Sequence, residues 1–151
     1  MTASAPVNAD TNEQGKGEWS GWQVSQCDPY EHLAGPFYYR SDKNGTLRTA
    51  FRAQNKHLNN SGFVHGGCLM TFADFSLFWI AHEKIRDFPA VTASFNSEFI
   101  DSAKEGDMLE ARGEIVRAAA SLIFVRGLIS KACSPILNFS AVLKKVRRAS
   151  S

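Results

Sequence analysis

The residue best suited to take part in a reaction in this chain of 151 residues is Asp74, a carboxylate in the middle of the most apolar stretch. Burying a charge without a partner is costly, and Asp is a poor helix former away from helix ends. A lone acid in such surroundings suits general-base or nucleophilic chemistry. Pairing with a nearby Arg, or a place on an exposed strip, would explain Asp74 equally well when it is considered alone.

Two glycines, Gly66 and Gly67, open the same apolar stretch. Adjacent glycines at a helix start let the backbone approach a ligand closely. The first N–H groups of a helix lack intrahelical partners and favour negative charge. The N–H of Gly67 therefore suits the oxyanion that forms when a thioester carbonyl is attacked. A tight turn that needs positive φ is the commoner explanation of such a pair when it is taken alone.

The spacing between these features bears on how they would meet. Gly67 and Asp74 are seven residues apart, so two helical turns place them on one face. They would also lie about 10 Å apart along the axis, too far to act together on one carbonyl. Two such helices, paired antiparallel in a symmetric dimer, would bring Gly67 of one opposite Asp74 of the other. The spacing is compatible with this arrangement and does not prove it.

Other side chains are weaker candidates for chemistry. Cys68 has no paired base nearby, so a small buried side chain explains it better than a nucleophile. The pair His82-Glu83 lacks the second His of an H-E-x-x-H zinc site. With Cys27 and Cys133, the cysteines are three and widely spaced, which disfavours structural zinc and a disulfide framework. His32 and His57 are expected to be surface or structural residues.

The element order predicts an α+β fold. Asp28-Pro29 favours a short helix up to Ala34, and Asn44-Gly45 favours a hairpin between two apolar runs. A long buried helix is predicted over Cys68–Ala81. Four alternating or β-rich runs, over 91–99, 109–115, 122–129 and 136–146, then predict an antiparallel meander with short connections. The expected architecture is an antiparallel sheet wrapped around one central helix.

Composition excludes several classes of protein. The net charge of +2 is too small to indicate nucleic-acid binding, and no apolar run is long enough to span a bilayer. The first residues lack the pattern of a signal peptide, so a cytoplasmic location is expected. Residues 1–18 are predicted to be a disordered lead-in, and residues 19–148 a single domain. The basic C-terminal end, with Arg147 and Arg148, fits either a solvated tail or an attraction for phosphates.

The run from His57 to Gly67, followed by Thr71-Phe72-Ala73-Asp74, resembles the hotdog-fold thioesterases. It looks most like their phenylacetate-pathway branch, with its pattern N-x-x-G-x-x-H-G-G followed by an Asp. The resemblance covers roughly residues 35–146. It implies a long central helix wrapped by a curved antiparallel β-sheet, an acyl-CoA substrate, no separate cofactor, and dimers that often pair into tetramers.

The same resemblance implies roles for five residues. Asp74 would be the nucleophile or general base, and Gly67 would supply the oxyanion N–H. Asn59 would hold the thioester or the attacking water, and His65 would orient the loop and polarise the carbonyl region. Thr92 matches a position where such enzymes often carry a Ser or Thr that positions water. In this family the Asp and the Gly act from opposite subunits.

Two sets of residues are candidates for substrate binding. The segments 100–107 and 117–121 differ from the usual family turns near the coenzyme A nucleotide, which weakens any assignment of phosphate ligands. Basic side chains that could serve are Lys104, Arg117, Lys144 and Lys145. An acyl chamber between subunits would be lined by aromatic residues, which favours an apolar or aryl acyl group. These are Phe63, Phe72, Phe75, Phe78 and Phe95.

Two alternatives to a thioesterase stay open. A hotdog hydratase or dehydratase would need a His paired with an acid for proton abstraction, and the only His near the expected site precedes the glycines. A non-catalytic acyl-CoA-binding protein would not need Asp74. Hydrolysis of acyl-CoA thioesters with Asp74 as the catalytic carboxylate is the function that the sequence favours.

Overall fold

A computed structural model describes residues 12–25 and 28–147 of the chain. The helices are α1 (Pro29–Ala34), α2 (Gly66–Ile80) and α3 (His82–Ile85). The strands are β1 (Asn12–Gln14), β2 (Gln23–Ser25), β3 (Tyr38–Ser41), β4 (Leu47–Arg52), β5 (Ala90–Phe99), β6 (Met108–Ala118), β7 (Leu122–Lys131) and β8 (Ser134–Lys145).

The central element is α2, which the sheet wraps because the helix is apolar on most of its sides. Leu69, Phe72 and Leu77 are almost completely buried on it. They pack against the inner faces of β4, β6, β7 and β8. A single buried hydroxyl pair, Thr49 and Ser76 at 2.6 Å, also joins the sheet to α2. The predicted long buried helix is confirmed, and it begins two residues earlier than expected.

The strands form one eight-stranded sheet in the order β1-β2-β3-β4-β6-β7-β8-β5, and all neighbours are antiparallel. The predicted meander of the last four strands is wrong, because β5 pairs with β8 and β6 pairs with β4. The cause is the connection after β5. Eight residues can span up to about 27 Å, and residues 100–107 pass over the start of α2, where Val64 N–H donates to the Ala103 carbonyl at 2.8 Å.

The local signals at α1 and at the first hairpin behave as predicted. Asp28 caps α1, with its Oδ1 accepting N–H groups from Tyr30 at 2.9 Å and Glu31 at 3.1 Å. Gly45 adopts a φ of 82° between β3 and β4, a conformation that the Asn-Gly turn requires. Short-range sequence chemistry therefore fixes the two elements that precede α2.

The N-terminal part of the chain differs from the predicted disordered lead-in over residues 1–18. Residues 1–11 lie outside the described residues, but β1 pairs with β2. Trp19 and Trp22 are 8% and 6% exposed, and they pack on Ala50 at the outer face of the sheet. The Trp19 ring also stacks on Tyr38, with centroids 3.9 Å apart. Two large aromatic side chains thus give this segment a small core of its own. The single domain over residues 19–148 stays a prediction, and Arg148 lies outside the described residues.

Helix length limits one further property. Within residues 12–25 and 28–147, every helix is too short or too polar to cross a lipid bilayer.

A close approach between β6, β7 and β8 leads to the first prediction. Gly113 and Gly127 face each other across β6 and β7. A Cβ on Gly127 would overlap the Phe139 ring and lie 2.8 Å from the Arg112 carbonyl oxygen. We expect Gly127→Ala to lower the free energy of unfolding by about 1–3 kcal/mol, because extra atoms in a packed core cause strain. Urea unfolding measures this, with Ser140→Ala on the exposed face of β8 as the control. Equal unfolding free energies in both variants would contradict the packing argument.

Candidate active site

Asp74 lies half-buried on α2, where β5 approaches the helix. The hydroxyl of Thr92 donates a hydrogen bond of 2.6 Å to Asp74 Oδ1. Thr92 is the third residue of β5, which begins at Ala90. The bond therefore joins the start of this strand to the middle of the helix. The structure thus brings together two of the residues that the sequence singled out.

The surroundings of Asp74 make its carboxylate more basic than usual. Burial raises the pKa of Asp74, the Thr92 hydrogen bond lowers it, and the negative charge of Asp28 raises it further. The pKa rises on balance because desolvation outweighs the single hydroxyl donor. A carboxylate of raised pKa is a better proton acceptor, as general-base chemistry requires.

The start of α2 is arranged differently from the expectation. His65 caps the helix, and the Gly67 N–H donates to His65 Nδ1 at 2.8 Å. The N–H that the sequence left free for an oxyanion therefore already has a partner. Within the described parts of the chain, the neighbouring N–H groups of Gly66 and Cys68 have no acceptor. Since Nδ1 of His65 accepts this bond, the neutral ring carries its hydrogen on Nε2.

The two glycines are required for space rather than for an unusual backbone conformation. Neither Gly66 nor Gly67 has a positive φ, which excludes the turn that the pair would explain on its own. A Cβ on Gly66 would lie 3.1 Å from the Phe99 ring, and one on Gly67 would lie 3.0 Å from His65 Nδ1. Larger residues would push these rings away from the start of the helix. Gly66 therefore marks the place where the end of β5 meets α2.

Asn59 shapes the loop before α2. Its Oδ1 accepts N–H groups from Ser61 at 2.9 Å and Phe63 at 3.2 Å. The oxygen is thus used within the loop, and the amide NH₂ of this exposed residue is the group left for a ligand. The role of Asn59 in holding a thioester or water stays a prediction.

His57 is structural, as expected. It is 4% exposed, its Nδ1 accepts the Gln54 N–H at 2.9 Å, and its Nε2 donates to the Ala34 carbonyl at 2.8 Å. Burial lowers the pKa of His57, so the ring is held neutral between these two partners. It ties the end of α1 to the loop that carries Asn59.

Cys68, the other candidate at the helix start, is unsuited to nucleophilic chemistry. Burial raises the pKa of its thiol to about 11. A thiol of such high pKa is almost entirely protonated near neutral pH, whereas reactive cysteines have lowered values. The side chain packs against the main core instead.

The aromatic residues predicted for the acyl chamber occupy different places. Phe72 is 0% exposed between Phe37 and Phe51 in the single chain, and its assignment to an acyl chamber between subunits stays a prediction. Its position on α2 turns it into the sheet. Phe75 is also almost buried, but it lines a cavity of about 400 Å³ beside α1. Half-buried positions are occupied by Phe63, Phe78 and Phe95.

The basic candidates fall into two groups. Lys104 lies beside the loop before α2, with its Nζ 5.6 Å from the centroid of Phe63. Lys145 belongs to the second group, near the start of β5, and its Nζ is 4.9 Å from the centroid of the Phe88 ring. Lys144 pairs with Val91 at the same end of the sheet. Arg117, the fourth candidate, is an exposed residue near the end of β6. The four side chains therefore do not form one cluster.

Glu31 is a residue that the sequence reasoning missed. It lies half-buried on α1 and lines the same cavity as Phe75. Burial raises the pKa of Glu31 to about 8, and the charges of Asp28 and Asp74 add to this effect. Its place three residues after the Asp28 cap resembles that of an ordinary capping acid. The sequence signal that could have identified Glu31 is the length of the helix that carries it. A helix this short must pack against the long helix that carries Asp74.

The chain is similar to known proteins over most of its described residues. The model of the thioesterase superfamily matches residues 61–132, which include the end of the loop before α2, α2 itself and the strands β5 to β7. A Pseudomonas aeruginosa protein named Putative esterase PA0474 is 34% identical over 100 residues, which are 66% of this chain and 75% of that protein.

Solved structures show the same fold at low identity. The PaaI protein from the phenylacetic acid degradation operon of E. coli is 16% identical, with a TM-score of 0.71 over 80% of this chain and 86% of that one. A hypothetical thioesterase protein from Streptococcus pneumoniae with coenzyme A is 19% identical, with a TM-score of 0.65 over 76% and 91%. The predicted helix within a curved antiparallel sheet is thereby confirmed. The chain belongs to the thioesterase superfamily and has the hotdog fold.

Proposed function

We propose that the protein hydrolyses acyl-CoA thioesters at a site shared by two subunits. Asp74 of one subunit would be the base or nucleophile, and the start of α2 of the other would bind the oxyanion. Membership of the thioesterase superfamily supports hydrolysis of a thioester. The observation that carries the shared site is the position of β5, which contacts both halves of it.

The strand β5 links the two half-sites because of where it begins and ends. Near its start, Thr92 bonds to Asp74. At its end, Phe99 lies against Gly66 at the start of α2. Gly66 and Asp74 are about 12 Å apart along α2 within one chain, since a helix rises 1.5 Å per residue. One subunit therefore cannot apply both halves to the same carbonyl.

Self-pairing of β5 would solve this problem. The strand lies at the edge of the sheet formed by the described residues, where its outer side pairs with no strand. An open edge of ten residues is a template for pairing with another chain. An antiparallel pair about a twofold axis near Phe95 would place the start of one β5 opposite the end of the other. Asp74 of one subunit would then face Gly66 and Gly67 of its partner.

The exposed surface supports the same dimer. Phe99 and Ile100 are 54% and 51% exposed in the single chain. Apolar side chains next to an open strand edge are typical of a surface that another chain covers. A homodimer through β5 is therefore part of the proposal, and pairing of dimers into tetramers stays a prediction.

The reaction balances with the residues of this site. Asp74 would accept a proton from water as the water oxygen adds to the thioester carbonyl, or its own oxygen would add to give an anhydride that water then hydrolyses. The C–S bond breaks, and the thiolate of coenzyme A takes up a proton. The N–H groups of Gly66 and Cys68, together with Nε2–H of His65, are the donors that would stabilise the oxyanion. The Gly67 N–H could join them only if His65 turns away.

The coenzyme A part of the substrate is inferred from relatives and from charge. The Streptococcus pneumoniae protein was solved with coenzyme A. Lys104 lies beside the loop that would face Asp74 of the partner, which makes it the best placed of the four basic candidates for a phosphate. Arg117, Lys144 and Lys145 stay candidates at the other end of β5.

The first activity prediction concerns Asp74. We expect Asp74→Asn to lower kcat/KM on a panel of aliphatic and aryl acyl-CoAs at least about 100-fold, because the amide cannot accept a proton or attack the carbonyl. Thiol release measures the rate, and Asp42→Asn, in the hairpin between β3 and β4, is the matched control. Equal rates for Asp74→Asn and the wild type would remove the proposed catalytic group. Binding without turnover by the wild type would indicate a non-catalytic acyl-CoA-binding protein.

The second activity prediction concerns the shared site. Gly67→Val would place a branched side chain over the start of α2, and Asp74→Asn would remove the base, so each variant alone should be inactive. When the two are mixed and allowed to exchange subunits, half of the dimers would be mixed, and each would hold one intact site. We expect about a quarter of the wild-type activity to return. Failure to recover activity, although mass spectrometry shows mixed dimers, would mean that both groups act from one subunit.

The third prediction follows from the hydrogen bond to Asp74. Thr92→Val removes the donor that lowers the pKa of Asp74, so that pKa should rise. Because activity requires ionised Asp74, the acid side of the kcat/KM profile should move to higher pH, while Thr92→Ser keeps the wild-type profile. An unchanged acid side in Thr92→Val would show that Thr92 does not tune the catalytic carboxylate.

A further inference from the structure

A second carboxyl lies on α1, the short helix that packs against α2, which carries the proposed catalytic residue. Glu31 of α1 faces α2, and the charge of Asp74 acts on it across the contact between these helices. Both carboxyls are half-buried. Two carboxylates in such surroundings repel each other, so that one of them keeps its proton.

Hydrogen bonding decides which carboxyl is ionised. Asp74 accepts a bond of 2.6 Å from Thr92, which stabilises its charged form. In the described residues, the carboxyl of Glu31 has neither a hydrogen-bond donor nor a cationic partner. The proton therefore belongs on Glu31 and the charge on Asp74. This asymmetry matches the raised pKa of Glu31, which is about 8.

Other charged groups face Glu31 from each element packed around it. Asp28 caps α1, His32 lies on α1, and Asp74 lies on α2. The cavity beside Glu31 is also lined by Lys16, by Glu13 of β1 and by Tyr38 of β3. Of these groups, Asp28 and Asp74 act on Glu31 strongly enough to raise its pKa. In the described part of the chain, no three His, Cys, Asp or Glu side chains are grouped in a way that could hold a metal ion.

We propose that Glu31 is a positioning residue that acts through Asp74, so that the two carboxyls of the α1–α2 contact share a single negative charge while the enzyme is active. This inference rests on the proposed hydrolysis at Asp74. Protonated Glu31 leaves Asp74 as the single ionised carboxyl of the α1–α2 contact. Ionised Glu31 would add a second negative charge close to the site where the oxyanion and the thiolate develop, and both would be destabilised.

The consequence is an alkaline limit to activity. With a pKa of about 8, Glu31 is mostly protonated at pH 7 and mostly ionised at pH 9. We expect kcat of the wild type to fall about tenfold between these values. Glu31→Gln mimics the protonated form and should keep its pH 7 activity up to pH 9. Asp74→Asn gives the rate of spontaneous thioester hydrolysis, which is subtracted at each pH.

The matched control is Glu83→Gln, which changes an exposed acid on α3 and should keep the alkaline fall of the wild type. A purely structural role of Glu31 would lower the activity of Glu31→Gln at all pH values and leave the alkaline fall in place. That result would overturn the proposal.

A second measurement separates this inference from the proposed function. A ¹³C NMR titration follows the Glu31 carboxyl in the wild type and in Asp74→Asn, where loss of the neighbouring charge should lower the pKa of Glu31. If the wild type hydrolyses no acyl-CoA, the proposed function fails, and the titration alone decides whether the charge is shared. A Glu31 pKa that is the same in both proteins would overturn the shared charge, whether or not Glu31→Gln folds.

Discussion

The hydrogen bond between Thr92 and Asp74 is the contact on which the rest of the site depends. It holds a carboxylate in an apolar helix, where an unpartnered charge would be costly. It also fixes the start of β5 against the middle of α2. Because the end of β5 touches Gly66, the strand spans the distance between the proposed base and the proposed oxyanion donors. Packing and chemistry therefore use the same strand.

The fold explains why such a strand is available. A central helix that is apolar on most sides needs a sheet around it, and the long connection after β5 lets this strand lie at the sheet edge instead of beside β6. In the sheet of the described residues β5 pairs with β8 alone, so its other edge stays open. The crossing of residues 100–107 also places Lys104 beside the loop before α2. One topological feature supplies both the surface for a second subunit and a cation near the site.

Local signals predicted local structure well, and non-local packing set the limits. Asp28 and the turn at Gly45 were predictable because their chemistry acts within four residues. The strand order was not, since alternation of apolar residues identifies strands but does not choose their partners. Phe72 and Phe75 look alike in the sequence and both pack on Phe37, yet of the two it is Phe75 that lines the cavity beside α1. The motif around Asp74 was readable because its residues are close in the sequence, whereas the charge of Asp74 acts on Glu31 only when α1 packs on α2.

The N-terminal segment changes how the site should be understood. A helix as short as α1 has little stability of its own, so its position depends on the Asp28 cap, on its contact with α2 and on the His57 bonds at its C-terminal end. The same His57 also stabilises the loop that leads to His65, whose backbone N–H donates to the His57 carbonyl at 2.8 Å. One buried histidine, through its ring toward α1 and its backbone carbonyl toward His65, therefore couples the helix that carries Glu31 to the start of α2. In a symmetric dimer, the start of α2 would face Asp74 of the other subunit, so a shift of α1 in one subunit would alter both shared sites: one through the charge near its own Asp74, the other through the oxyanion donors.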